Sequence, residues 1–312
     1  MLKVLVTGAN GLLGQKLVHL LAQQPNVQLI ATAKGENRLY SFPNNALYHT
    51  LDVTQETQIA QVFEQYQPNT IIHTAAMTQV DDCEMQRERC LLFNVTAVEY
   101  LLKYAEKYQT HFIHLSTDFI FDGKTGLYTE EAEPNPLSFY GESKLLSEKL
   151  VQNCHTDWAI VRTVLVYGIV EAMSRTNIIL WVKKSLEEGK TIHVVDDQWR
   201  TPTLAEDLAM GCWLIAKQRA KGIFNIAGKD LLTPYNMAIA TADFFNLDKS
   251  LIIRTDSSQF KQPAVRPLRT GLDIRKAQQL LGYQPHSFKE GIALLQKQIT
   301  SITSSRLFSH KN

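Results

Sequence analysis

The stretch VTGANGLLG, residues 6 to 14, decides how the rest of this chain is read. A β-branched run, Lys3 to Thr7, leads into it, and a segment of helical period, Leu12 to Gln24, leads out. Glycines at 8, 11 and 14 between a strand and a helix permit a tight turn, a close backbone approach to a pyrophosphate, and close packing of helix on strand. The helix amino terminus adds partial positive charge and unpaired N–H groups. Gly8, Gly11 and Gly14, with Leu12 and Leu13 between them, are therefore expected to line a dinucleotide site.

The alternation continues outward from this loop. Short runs at Val27 to Thr32, Ala46 to Leu51, Thr70 to Thr74, His111 to Ser116, Trp158 to Val166 and Ile223 to Ile226 have the composition of strands. Between them lie helix-period segments at Gln55 to Tyr66, Glu84 to Tyr108, Leu137 to Gln152 and Leu204 to Lys217. Several runs are nearly all apolar, as strands buried on both faces must be. The pattern predicts an α/β chain with a doubly wound parallel Rossmann sheet, whose ligands sit beyond the carboxyl ends of the strands. A dinucleotide-binding domain is expected over 1–166 and 203–228. A smaller α/β substrate lobe is expected over 167–202 and 229–298, where proline-rich loops such as KQPAVRPLRTG interrupt the rhythm. The polar end, 299–312, lacks periodicity and is expected to be a flexible tail.

Cofactor choice is set where the second strand ends, in ATAKGENR. An NAD-selecting chain places Asp or Glu there to accept hydrogen bonds from the ribose. Here Ala33 takes that place, with Lys34 and Arg38 after it, so NADPH is expected over NADH; a solvated Lys34 with both cofactors binding is the alternative. Asp52 and Val53 in LDVT, and Ala75 and Ala76 after the fourth strand, are counted with the cofactor contacts. Asp52 would meet the adenine end or cap the helix that begins near Gln55.

Tyr140 and Lys144 lie four residues apart on a predicted helix and so share a face. An ammonium beside a phenol favours the phenolate and lowers its pKa, which suits proton transfer to a carbonyl. The fifth strand ends in Ser116, Thr117 and Asp118, and a hydroxyl there can polarise a substrate carbonyl. Thr117, Tyr140 and Lys144 are the expected catalytic set, with Tyr140 and Lys144 also near the cofactor.

At these residues the chain resembles the dTDP-4-dehydrorhamnose reductases of the extended short-chain dehydrogenases. The blocks are VTGANGLLG, HTAAMTQVDDCE, STDFIFDG, YGESK and DDQWRTPT, and the resemblance runs from about residue 2 to about residue 295. It implies reduction of a nucleotide-linked 4-keto sugar, with Thr117, Tyr140 and Lys144 as the triad and Gly8, Gly11, Gly14 and Lys144 on the cofactor. Thr78 and Val80 would lie near nicotinamide and sugar, and Arg266 in RPLRTG would bind substrate; Arg200 in DDQWRTPT is also counted with the substrate contacts. Two places depart from the family. Val164 and Leu165 stand where a tryptophan usually faces the sugar, and Trp199 and Arg200 stand where an aromatic is usually followed by glycine. The same family includes the regulatory subunit of methionine adenosyltransferase, so a non-catalytic NADP-binding subunit is one alternative. An epimerase or dehydratase is the other.

Composition sets the remaining bounds. A 45% hydrophobic and 20% charged chain with net charge +1 has no basic footprint for nucleic acid. No apolar stretch suggests a membrane span or signal peptide, so a cytoplasmic protein is expected, with a homodimer left open. Cys83, Cys90, Cys154 and Cys212 lack metal or disulfide spacing and read as reduced thiols, and no metal is expected. His73, His111 and His114 read as structural or incidental, Trp181, Trp213 and Phe244 as core, and Arg162 as a loop anchor.

Overall fold

The computed structural model describes residues 1–172 and 176–309. Its strands are β1 (Leu2–Thr7), β2 (Val27–Ala33), β3 (Ala46–Thr50), β4 (Thr70–His73), β5 (His111–Thr117), β6 (Trp158–Thr163), β7 (Val166–Tyr167), β8 (Ile192–Val195), β9 (Thr203–Leu204), β10 (Gly222–Asn225) and β11 (Ile252–Thr255). Seven of them form one sheet in the order β10-β6-β5-β4-β1-β2-β3, and every pairing in it is parallel. Strand order reverses between β1 and β4, which opens a crevice at their carboxyl ends. Both the Rossmann fold class and the position of the glycine loop are as the sequence predicts.

Successive residues of β1 face opposite sides of the sheet, and both sides are covered. Val4 and Val6 pack with Leu17 and Leu21 of α1 (Leu12–Ala22) and with Leu208 and Ile215 of α8 (Ala205–Gln218). Leu5 faces the other way, onto Ile59 and Phe63 of α2 (Glu56–Tyr66) and Leu101 and Ala105 of α5 (Ala97–Tyr108). This is why the strands read as continuous apolar runs.

The helix expected over Glu84–Tyr108 is broken. It becomes α3 (Val80–Met85), α4 (Arg87–Leu91), a π-helical turn over Leu92–Thr96, and α5. Gln86 leaves helical geometry at φ −127°, ψ 59°, and the π turn carries Asn94, whose side-chain amide bonds both the N–H and the carbonyl of Met77. The strand expected over Trp158–Val166 also splits, because Leu165 adopts φ +34° and the chain swings out to pair β7 with β9.

Beyond the sheet, α7 (Ile178–Glu187) and α9 (Pro234–Phe245) pack Val182, Leu186, Ala238 and Ala242 onto the parallel pair β8 and β11. Helix α6 (Phe139–Gln152) lies beside β5, and α10 (Arg275–Leu281) lies beside α8. From Ile299, where a flexible tail is expected, the backbone continues as helix to Ser309. Helix α11 runs Phe288–Ser309, its first turns anchored by buried Phe288, Ile292 and Leu295, and residues 310–312 lie outside the described residues. No helix among the described residues is long and apolar enough to cross a membrane.

Candidate active site

The glycine loop is shaped for a close-approaching ligand. Gly8 has φ +70°, and a Cβ there would lie 2.9 Å from the Ala75 nitrogen at the end of β4. A Cβ at Gly14 would lie 2.2 Å from the Gly8 carbonyl oxygen, so only glycine lets α1 start this close to the loop. Gly11 is the N-cap of α1 and offers no side-chain cap, which leaves the positive end of the helix open toward the crevice. The donor set fits a pyrophosphate. Leu12 and Leu13 open α1, while Ala75 and Ala76 follow β4.

Ala33 does end β2, and Lys34 follows it on the surface. The Lys34 ammonium lies 2.7 Å from an Asp52 carboxylate oxygen, so cation and anion share this edge. Asp52 does not cap α2, whose N-cap is Gln55; its other oxygen accepts from the N–H and hydroxyl of Thr54 at 3.0 and 2.7 Å. Burial opposes the Asp52 charge, but bonds from Lys34 and Thr54 hold the carboxyl below the usual range. Val53 beside it is buried. Arg38 is exposed, and its N–H donates to Asn10 of the glycine loop at 3.0 Å, which keeps a second cation near.

Two local features bring Tyr140 to Thr117. Ser138 caps α6 by accepting from the Gly141 N–H at 3.3 Å. At Gly141 a Cβ would lie 2.2 Å from the Phe119 carbonyl oxygen, so glycine lets the first turn of α6 rest on the turn after β5. The Thr117 hydroxyl lies close enough to the Tyr140 phenol to act on its charge, and Thr117, Tyr140 and Lys144 are all buried at this edge. The electrostatics differ from the expectation that Lys144 lowers the phenol. Burial pushes Tyr140 up, partly offset by the Thr117 hydroxyl, and Lys144 turns to His114, whose Nε2 lies 3.2 Å from its ammonium. Burial also pulls Lys144 down to about 8, against the raising influence of Glu148, Cys90 and Cys83.

Three residues of this site carry no clear sequence signature. Asp118 accepts from Thr117 at 3.1 Å and from Thr270, and burial pushes its carboxyl up against the pull of Arg200. Asn94 donates to Ser143 of α6 at 3.0 Å while holding the Met77 backbone. His114 meets the Lys144 ammonium. A polar side chain in an otherwise apolar run is the signal of two of them, Asn94 in LLFNV and His114 in FIHL, while Asp118 had only its place at the end of the fifth strand.

The expected substrate residues divide. Val80 opens α3 and packs on the cluster of Cys83, Cys90 and Tyr140. Thr78 is exposed on the loop before it. Arg200, expected to touch substrate, is buried, with its two terminal nitrogens on the carbonyls of Trp199, Leu268 and Pro267 at 2.6 to 3.0 Å and its Nε 3.8 Å from Asp118. Arg266 sends its fork to Asp81 of α3 at 2.8 and 3.1 Å and borders a cavity of about 400 Å³. Trp181, expected in the core, is 38% exposed and lines that cavity with Ile178, His193 and Phe260, whereas Trp213 is buried as expected. Arg162 is an anchor, bonded to Glu148 and to the Glu130 carbonyl. All four cysteines are free, and among the described residues no group of three His, Cys, Asp or Glu side chains could hold a metal.

Comparison with known proteins agrees with this geometry. The chain is 31% identical over 304 residues to the "Probable low-salt glycan biosynthesis reductase Agl14" of Haloferax volcanii, covering 96% of this chain and 99% of that one. It is 32% identical to the methionine adenosyltransferase 2 subunit beta of Mus musculus, over 93% of this chain and 86% of the relative. Among solved structures, a dTDP-4-dehydrorhamnose reductase of Clostridium acetobutylicum superposes with TM-score 0.83 at 27% identity, over 96% of this chain and all of that one. The Bacillus anthracis dTDP-4-dehydrorhamnose reductase in complex with NADP gives 0.81 at 25% identity, with the same coverage. The family described as the RmlD substrate binding domain matches residues 2–301, so the chain belongs to that family, as an oxidoreductase on a Rossmann fold.

Proposed function

We propose that this protein reduces the 4-keto group of a nucleoside-diphosphate-linked sugar at the expense of NADPH. The convergence of Thr117, Tyr140 and Lys144 at the sheet edge facing the glycine loop carries this reading. A bound nicotinamide dinucleotide supplies the hydride. Tyr140 gives its proton to the oxygen that becomes the alcohol, and its raised pKa makes it a proton-holding acid at neutral pH. Thr117 donates to Asp118 in this structure, so its hydroxyl swings from Asp118 to the carbonyl oxygen when substrate is present. Lys144 supplies positive charge beneath the forming alkoxide and a donor for the ribose. The named reductases among the structural neighbours support a dTDP-linked 6-deoxy sugar, and the cavity beside Arg266 has room for part of the nucleotide.

Spectrophotometric turnover of dTDP-4-dehydrorhamnose with each cofactor tests the reading. Because Ala33 replaces an acidic residue and Lys34 and Arg38 flank it, NADPH is expected to bind more tightly than NADH. Lys34→Asp should cut that preference about tenfold. A wild-type preference for NADH would overturn the cofactor assignment.

The Arg266 fork, held by Asp81 at the cavity mouth, is proposed to pass to the substrate diphosphate. Arg266→Lys keeps the charge and loses the fork. The sugar nucleotide KM should rise about tenfold while the NADPH dissociation constant stays the same. Equal loss of both would point instead to damage to the fold.

The likeness to the methionine adenosyltransferase subunit supports a second reading, a cofactor-binding subunit of another enzyme. The complete Thr117, Tyr140 and Lys144 set favours the reductase. NADPH binding without turnover of any nucleotide keto-sugar, together with co-purification of a partner enzyme, would reverse that order.

A further inference from the structure

Strand β5 carries His114 fully buried against α6. Its Nε2 lies 3.2 Å from the Lys144 ammonium and 2.9 Å from the Ser147 hydroxyl, which itself donates to the Lys144 carbonyl at 2.7 Å. An ammonium can only donate. A proton on Nε2 would satisfy Ser147 but would face the ammonium, whereas a bare Nε2 accepts from the ammonium and makes His114 the Nδ1–H tautomer, the state in which the buried charge has an acceptor. That Nδ1 has no hydrogen-bond partner among the described residues. An unpaired buried donor destabilises a fold, and a leucine would fill the same space without the penalty. Packing therefore does not explain an imidazole here, whereas the need of a buried ammonium for an acceptor does.

We propose that His114 is a positioning residue, a neutral imidazole that holds the Lys144 ammonium charged and fixed on the floor of the site. The inference rests on the catalytic role given to Lys144 above. Burial, then Lys144 and His73, keep His114 well below the usual histidine range, so it stays an acceptor. His73 on β4 stacks on it at 5.7 Å and is itself neutral, pulled down to about 3 by burial and Lys144. The other groups facing Lys144 are Glu148 on its own helix, paired with Arg162, and Cys83 and Cys90 from α3 and α4. With Lys144 already pulled to about 8, one acceptor more or less decides its charge near neutral pH.

The test uses ligand-free protein carrying ¹⁵N-histidine and ¹³C-lysine, read by NMR. In the wild type, His114 should show a protonated Nδ1 and a bare Nε2 between about pH 5 and pH 8. The Lys144 Cε signal, assigned with Lys144→Met, should titrate near pH 8. His114→Leu should lower that midpoint by about one unit, and His114→Gln, which keeps an acceptor, should restore it. In turnover of dTDP-4-dehydrorhamnose with NADPH, the alkaline limb of kcat/KM should move down by the same amount in His114→Leu, with the sugar KM unchanged. A protonated Nε2 in the wild type overturns the proposal even if no variant folds. A Lys144 midpoint unmoved by His114→Leu overturns it as well. Failure of every keto-sugar as substrate, with the NMR results as expected, would sink the reductase reading and leave the His114–Lys144 pairing supported.

Discussion

Replacing Tyr140 with phenylalanine is expected to lower turnover about 10²- to 10⁴-fold, the range contributed by a positioned acid–base group. The ring stays in its cluster with Cys83, Cys90 and Val80, and against Phe119 at 5.9 Å, so only the hydroxyl and its interaction with Thr117 are lost. NADPH affinity and thermal stability should remain close to wild type, because neither the glycine loop nor the α6 cap is touched. The effect should fall on kcat and kcat/KM alike, the mark of an interaction made in the transition state. Full reductase activity in Tyr140→Phe would show that the proton comes from elsewhere. Loss of activity together with a large fall in melting temperature would assign the phenol a structural role.

Arg162→Met is expected to destabilise the protein by about 3–5 kcal/mol, the usual result of removing one partner from a buried ion pair. Arg162 donates to both Glu148 oxygens at 3.0 and 2.7 Å, and their side chains are 2% and 0% exposed. Its third bond, to the Glu130 carbonyl, ties in the loop before α6. Glu148 sits one turn beyond Lys144, so the pair fastens the helix bearing Tyr140 and Lys144 to β6. The melting temperature should fall by about 10 °C. Arg162→Met with Glu148→Leu should recover much of that loss, because the uncompensated carboxylate is gone. Equal instability of single and double variants would show that packing of the long arginine stem, rather than the charge pair, carries the effect.

Residues 6–14, taken with the strand before and the helix after, determined the fold class and the dinucleotide edge without any structure. That was possible because glycine spacing and hydrophobic period are local properties: the positive φ at Gly8 and the close start of α1 at Gly14 depend mostly on neighbours within one supersecondary unit. The Tyr140, Lys144 spacing was legible for the same reason, since one helix turn sets it.

What each polar side chain bonds was decided only by the tertiary structure. Arg266 meets Asp81 across 185 positions, Thr270 meets Asp118 across 152, and Arg200 bonds carbonyls 67 and 68 positions away. No periodicity encodes such pairs, so neither the backbone partners of Arg200 nor the approach of His114 to Lys144 could be read from the sequence. Trp181 read as core because its helix has the right period, yet period reports which face a residue shares and not whether a neighbouring element covers it. The breaks at Gln86 and Leu165 escaped notice for a related reason: the Asn94–Met77 bonds and the β7–β9 pairing that accompany them join segments distant in sequence, and such contacts override local propensity.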